Sequence, residues 1–332
     1  MNLFFSGHSL TEAPLGEYTA AVAASLGKQT LWNQQIALGS PIRFRTRGFS
    51  DTDPSWAGYS QGINRDGVSM NFLAELRNPQ TLSGQRYDAL IVTERHDLPL
   101  EWEGGVKYAR HMHERLIEGN PQATSYIYHA WQGIRDKSNP APWIAHERAA
   151  ATVWQCMASR INTSLAHEGR SDRVHYMPAG LALAYLVERA TQGSVDGITA
   201  GSPAETLNRL FRDDVHLNSG LGVYYMSLVT YASTYRSPPV GAWAPAGVSA
   251  TQARSLQEVA WAAVASYYNN PVQPDLNTCQ AFMRNDFCAR IAYYVNNAQN
   301  INHCVSTYGK ASNENPFYFN ASADNSYWAP AP

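Results

Sequence analysis

Charge is scarce in this chain and nearly balanced. Asp, Glu, Lys and Arg make up only 16% of its 332 residues and leave a formal net charge of −2 at pH 7. No basic face or tail results, so a nucleic-acid partner is not expected. Long apolar runs are missing as well. None approaches the roughly 20 residues that a membrane span needs, and no membrane span is expected. The four cysteines show no C-x-x-C spacing, which removes the common zinc signatures, and the ten histidines are scattered. No cofactor motif, metal-ligand cluster or internal repeat is visible, so neither cofactor nor metal is expected.

Aromatic residues are plentiful, with 19 Tyr and 9 Trp, and the hydrophobic content of 44% supports a packed core. A neutral, ring-rich surface suits sugar faces, although most such rings belong in a core. The length allows one large domain, or one domain with a substantial appendage.

The stretch from Leu3 to Leu10 anchors the organisation. A strand-like run, Leu3-Phe4-Phe5, ends in Ser6-Gly7, followed by His8-Ser9 and a helix-like pattern from Glu12 to Leu26. A strand that stops in a glycine turn and enters a helix presents side chains at the carboxyl end of a sheet, where open α/β sheets bind ligands. Ser9 would then lie near the first helical N–H groups, which favour a developing oxyanion. Far along the chain, Asp213 and His216 stand three apart before the helical run Val223 to Tyr235. At that spacing the carboxylate can orient the imidazole, so that Nε2 accepts a serine proton. Asp214 is the competing orienter. The structural alternative is that Ser9, Asp213 and His216 merely cap helices.

Gly7-His8-Ser9-Leu10 with Asp213-x-x-His216 resembles the SGNH (GDSL-like) hydrolases, in particular their carbohydrate-esterase-like bacterial members. His8 stands where the motif's name has Asp. The resemblance implies a flavodoxin-like α/β fold with a doubly wound, mainly parallel sheet, and Ser9, Asp213 and His216 as catalytic triad. It also implies an oxyanion hole from the backbone N–H groups of Ser9 and Gly39, the glycine that ends the second strand, Thr30 to Leu38. Many members carry an asparagine at the end of the strand corresponding to Tyr87 to Thr93, and Glu94 falls at about that place. An ionised carboxylate cannot donate a hydrogen bond. Arg95 or a backbone N–H is the substitute, and a structural role for Glu94, paired with a local arginine, stays open. The implied activity is that of a serine esterase removing small acyl groups, most plausibly acetyl, from a carbohydrate. Alternatives are a lipase or thioesterase on longer chains, and a catalytically silent member that binds glycan or protein.

The alternation of strands and helices independently argues for a mainly parallel, doubly wound sheet. Further strands are expected at Ser125 to Trp131 and Val174 to Pro178, with helices at Gly105 to Ile117, Ala141 to Leu165 and Ala179 to Thr191. Arg43, Arg45 and Arg47 alternate, as on one face of an extended segment, either a solvated edge or a contact for an acidic substrate. Residues Asp51 to Asp66 read as a long loop in which Trp56 either stacks on a sugar or tucks into the core. His129, at a strand's carboxyl end, either touches substrate or is packed. Arg95, Trp56 and His129 are thus the substrate-facing candidates.

Ser237-Pro238-Pro239-Val240-Gly241 punctuates the chain. Residues 1–241 are expected to form the catalytic domain. Residues 242–332 form a C-terminal extension packed on it, with helices at Thr251 to Tyr268 and Thr278 to Asn297 and an irregular end. Cys156, Cys279, Cys288 and Cys304 allow two disulfides, with Cys279–Cys288 the expected local bridge, or remain buried thiols. Few lysines and many Asn and Tyr favour an exported protein, periplasmic or extracellular, whose leader is absent from this sequence. A cytoplasmic location is the alternative.

Overall fold

The structure, a computed structural model, describes all residues except 51–54, 96–100, 291–297 and 329–332. At its centre lie five strands: β1 (Asn2–Gly7), β2 (Leu31–Ile36), β3 (Ala89–Val92), β4 (Thr124–Tyr128) and β5 (Val174–Met177). Their order is β2-β1-β3-β4-β5, and every pairing is parallel. Leu3, Phe4 and Phe5 of β1 and Leu90, Ile91 and Val92 of β3 are all buried. Continuous apolar runs of this kind suit a parallel sheet covered on both faces.

Eleven α-helices are described. They are α1 (Leu15–Ser25), α2 (Ile42–Thr46), α3 (Phe72–Arg77), α4 (Glu101–Gly119), α5 (Ala141–His167), α6 (Ala179–Thr191), α7 (Pro203–Asn208), α8 (Leu221–Tyr235), α9 (Ala250–Asn269), α10 (Leu276–Phe282) and α11 (Ala298–Gly309). α1 packs on α8 and α8 on α9, while α4 packs with α2, α3 and α5. The fold is the doubly wound α/β arrangement expected from the alternation of elements. From β1 the chain passes first to one neighbour, β2, and later to the other, β3. The crevice beyond the carboxyl ends of β1 and β3 is therefore the topological switch point, where such sheets bind ligands.

The extension shares the buried core. Leu256 and Val264 of α9, Phe287 and Tyr308 belong to the same buried apolar cluster as Leu3 and Ile91. Near the end of the chain, Asp324 pairs with the fully buried Arg160 of α5 at 2.5 Å. Three local expectations differ from the structure. Arg43, Arg45 and Arg47 do not lie along an extended edge, because Ile42–Thr46 is a helix. The helix expected from Thr278 passes into a π-helical turn at Met283–Phe287, and its end lies outside the described residues. Residues beyond Asn300, expected to be irregular, contribute most of α11.

The cysteines pair as Cys156–Cys279, joining α5 to α10, and Cys288–Cys304, reaching α11. The expected Cys279–Cys288 bridge does not form. Both residues lie on one continuous helical stretch, where nine residues correspond to roughly 13 Å of rise, about twice the Cα separation a disulfide spans. The Cys156–Cys279 bridge closes a separation of 123 residues and the other one of 16. Loop-closure entropy therefore predicts that replacing Cys156 and Cys279 by Ser lowers stability by about 4–5 kcal/mol, and replacing Cys288 and Cys304 by about 3 kcal/mol. Urea unfolding of the two double variants checks the order.

Candidate functional site

The turn after β1 is tight. A β-carbon on Gly7 would drive into the Thr11 side chain, so glycine is required for this close approach. His8 is buried and fixes the turn. Its Nδ1 accepts from the Leu10 N–H at 3.4 Å, leaving Nε2 to carry the proton and donate to the Glu94 carbonyl at 3.3 Å. The turn after β1 is thereby tied to the end of β3, and Ser9 stands in the crevice between them. α1 begins only at Leu15, with no side-chain cap. Ser9 therefore neither caps that helix nor sits at its first N–H groups, as the sequence had suggested.

Asp213 and His216 come from the loop between α7 and α8, which is closed by an antiparallel bridge between Phe211 and Leu217. Asp213 Oδ1 accepts from the N–H groups of Val215 (2.8 Å) and His216 (2.6 Å), so the carboxylate shapes its own turn. Its Oδ2 accepts from His216 Nδ1 at 2.8 Å, and His216 Nε2 lies 3.0 Å from Ser9 Oγ. Because an ionised carboxylate only accepts, Nδ1 carries the imidazole proton and Nε2 is left to accept from the serine hydroxyl. Partial burial pushes the Asp213 carboxyl up, but the two backbone donors and the imidazole outweigh it and hold the group down at about 2. Asp213 is thus ionised throughout the neutral range. Asp214 instead points its carbonyl at the Ile134 N–H, at 2.7 Å.

Two contacts that the sequence did not reveal hold this loop in place. Trp131, buried after β4, donates from Nε1 to the Val215 carbonyl at 2.8 Å. Arg212 reaches Glu12 at 3.1 Å, linking the His216 loop to the Ser9 loop. Beside Ser9 lies a recess of about 50 Å³, whose apolar wall includes Leu10, Trp131, Leu217, Val223 and Met226.

Beneath the site lies a buried polar knot around Arg45. Its Nε donates to Ser6 Oγ at 3.0 Å, Nη1 to the Ser40 carbonyl and hydroxyl at 2.7 and 2.8 Å, and Nη2 to the Thr93 carbonyl. One guanidinium thus clamps the carboxyl ends of β1 and β3 and the turn after β2. Full burial pulls Arg45 down to about 10, opposed by the negative charge of Glu94, so it stays cationic at neutral pH. Glu94 is itself buried, and its Oε1 accepts from the N–H groups of Ile42 (2.9 Å) and Arg95 (2.7 Å). Glu94 is therefore a structural acceptor and not an oxyanion donor. The Arg95 backbone N–H is engaged by it. Gly39 occupies the exposed turn after β2 with φ 64°, and a β-carbon there would meet no neighbour, so its backbone is open to approach.

The remaining substrate candidates divide. The structure places Arg95, half-buried, at the end of β3. Trp56 does not line the crevice; it is buried, stacked on His111 at 3.7 Å under the Arg47 guanidinium. His129 is fully buried, bonded to the Tyr176 hydroxyl at 2.8 Å and 3.3 Å from Glu147. Both rings belong to the core, where their apolar area is removed from water.

Hydrogen-bond geometry alone does not single out a site. His113 joins Ser125 Oγ and Asp172 Oδ2, each at 2.8 Å, but Ser125 is 1% exposed and lies in the first half of β4. Among the described residues, the Ser9 chain combines this geometry with the switch point and an adjoining recess, and the His113 chain does not.

No protein-family model matches the sequence, and no curated protein matches it. Among solved structures, the chain is similar to a DUF4886 family protein from Bacteroides uniformis, at 12% sequence identity and a TM-score of 0.53. The match covers 82% of this chain and 97% of that one. At that identity the likeness bears on the fold alone.

Replacing Arg45 by Met removes the clamp and leaves the Glu94 charge buried without its cation. A loss of about 3–5 kcal/mol is expected in urea unfolding. Arg45→Lys recovers only part, because an ammonium lacks the planar fork that reaches several acceptors at once.

Proposed function

We propose that the protein is a serine esterase that removes small acyl groups, foremost acetyl, from a carbohydrate. The observation that carries this reading is the hydrogen-bonded chain Asp213–His216–Ser9 at the switch point of the sheet. His216 Nε2 takes the proton from Ser9 as the hydroxyl oxygen attacks the ester carbonyl. The imidazolium forms next to an Asp213 carboxylate that is already ionised, which stabilises it. The backbone N–H groups of Ser9 and Gly39 are the oxyanion donors, each worth about 3 kcal/mol in the barrier. His216 then returns the proton to the leaving alcohol, and the acyl group remains on Ser9. Water attacks this acyl-enzyme with His216 as base, releasing the acid and restoring the serine.

The size of the recess supports a small acyl group. About 50 Å³ is far below the roughly 300–1,000 Å³ of pockets that take drug-sized ligands. A space of that size suits an acetyl group better than a long acyl chain, which favours the esterase reading over the lipase one. The carbohydrate acceptor rests on the resemblance to carbohydrate esterases and on the abundance of aromatic residues. Four cysteines joined in two disulfides favour an oxidising compartment, and so an exported protein.

Hydrolysis of p-nitrophenyl acetate, butyrate and octanoate tests the reading. Acetate is expected to be the preferred substrate, with turnover abolished in Ser9→Ala. Asp213→Asn is expected to lower kcat by about 10³–10⁴ with little change in KM, because the amide no longer fixes the tautomer of His216. Unchanged turnover in Ser9→Ala would overturn the proposal. Preference for octanoate would replace it with the lipase reading, and glycan binding without turnover of acetylated glycans would replace it with the silent-member reading.

A further inference from the structure

A second cleft shares no lining residue with the Ser9 recess. It has a volume of about 620 Å³ and lies where β5, α5, α9 and the end of α8 meet. That volume is within the usual range of small-molecule sites. Val223 and Met226, near the start of α8, line the Ser9 recess, whereas Ala232 and Arg236, at its other end, line the cleft. At 1.5 Å per residue the two sites are roughly 9–20 Å apart along the helix.

The lining joins three kinds of group. Aromatic rings are supplied by Trp261, Tyr267 and Tyr268, with amides from Asn269 and Gln273 at the exposed rim. The charged members are Arg173 and Arg236, and no carboxylate lines the space. Nη1 of Arg173 donates to the carbonyls of Arg170 and Asp172. Arg236 lies over the Tyr268 ring. Among the described residues neither guanidinium is ion-paired to a carboxylate. Their combined field also reaches His175, whose imidazole is held below its ordinary value first by burial and then by the charge of Arg236, His113 and Arg173.

The backbone at Arg236 adds a second indication. It closes α8 in the left-handed conformation, with φ 53°. Glycine is the usual residue in such a position, and a β-carbon there is strained. The chain keeps an arginine at this point, with its side chain in the cleft. The outer edge of β5 does not compete for a ligand. The Asn162 amide bonds both the N–H and the carbonyl of Val174, and the Tyr268 hydroxyl donates to the Tyr176 carbonyl. A strand edge closed by side chains is not an open template for an extended peptide.

From this combination we infer that the cleft is a second binding site, for an acidic oligosaccharide whose carboxylates meet Arg173 and Arg236 and whose sugar faces lie on Trp261 and Tyr267. Planar guanidinium forks match carboxylates, ring faces pack on the apolar faces of sugars, and rim amides serve hydroxyl groups. The site holds an acidic glycan away from the Ser9 crevice, and its existence does not depend on the chemistry proposed for Ser9.

Isothermal titration of the full chain with trigalacturonic acid and with its neutral methyl ester tests the assignment. The acid is expected to bind about tenfold or more tightly than the ester, and more weakly as NaCl is raised. Arg236→Gln, at an exposed position, and Trp261→Ala are each expected to weaken binding of the acid about tenfold, with far-UV circular dichroism confirming that both fold. Ser9→Ala is expected to bind as the wild type does, which separates this site from the esterase reading. Equal affinity for acid and ester, no heat of binding, or binding unchanged in both variants would overturn the proposal. Inorganic phosphate that binds as tightly as the trimer and displaces it would also overturn it, by showing a simple anion site.

Discussion

The buried guanidinium of Arg45 is the constraint on which the geometry of the site depends. Three loops must meet at the carboxyl ends of β1, β2 and β3, and each brings backbone or hydroxyl oxygens into a space closed to water. Arg45 satisfies Ser6, Ser40 and Thr93 together, and Gln35 of β2 donates to the Arg45 carbonyl at 2.8 Å. Such a network is favourable only when its members are satisfied, because an unpaired polar group in a low-dielectric interior is costly. Glu94 supplies the opposing charge and binds the start of α2 through the Ile42 N–H. The loops carrying Ser9 and Gly39 thus have a common floor.

The second half of the site arrives from more than 200 residues away and is positioned from above. Asp213 builds its own turn, Trp131 fixes that turn to the end of β4, and the Glu12–Arg212 pair ties it to the loop after β1. The last pair is partly exposed and contributes at most about 1 kcal/mol, so it serves alignment more than stability. Ser125, His113 and Asp172 show what the same bonds amount to without access: a buried polar chain that joins α4 to β4 and to the loop before β5. Position in the sheet, more than the triad geometry, marks Ser9.

The parts of this arrangement legible in the sequence were those written locally. The strand-glycine-serine turn, the D-x-x-H spacing and the alternation of strands and helices depend on neighbouring residues, and their strands lie within a few residues of where they were expected, although α1 begins at Leu15 and not at Glu12. What was not legible depends on partners far along the chain. Arg45 reads as one of three alternating surface arginines until β1 and β3 close over it. Trp56 and His129 had two open placements, and only tertiary packing decided for the core. Cysteine pairing likewise required knowing that α10 lies on α5. Some missed signals were local: Ser202-Pro203-x-Glu205 has the signature of a helix start, and Ser202 does cap α7 by accepting from the Glu205 N–H. Asn71 caps α3 in the same way.

We propose that the fold activates one serine, Ser9, through a base held in the correct tautomer. Reaction with a fluorophosphonate, followed by mass mapping of the modified peptide, tests it most directly, because the probe needs an activated serine and no knowledge of the natural ester. A single adduct on Ser9 is expected, formed rapidly by the wild type and at least about 10³-fold more slowly when His216 is replaced by Ala. An adduct on another serine, or labelling of Ser9 that is indifferent to His216, would contradict it.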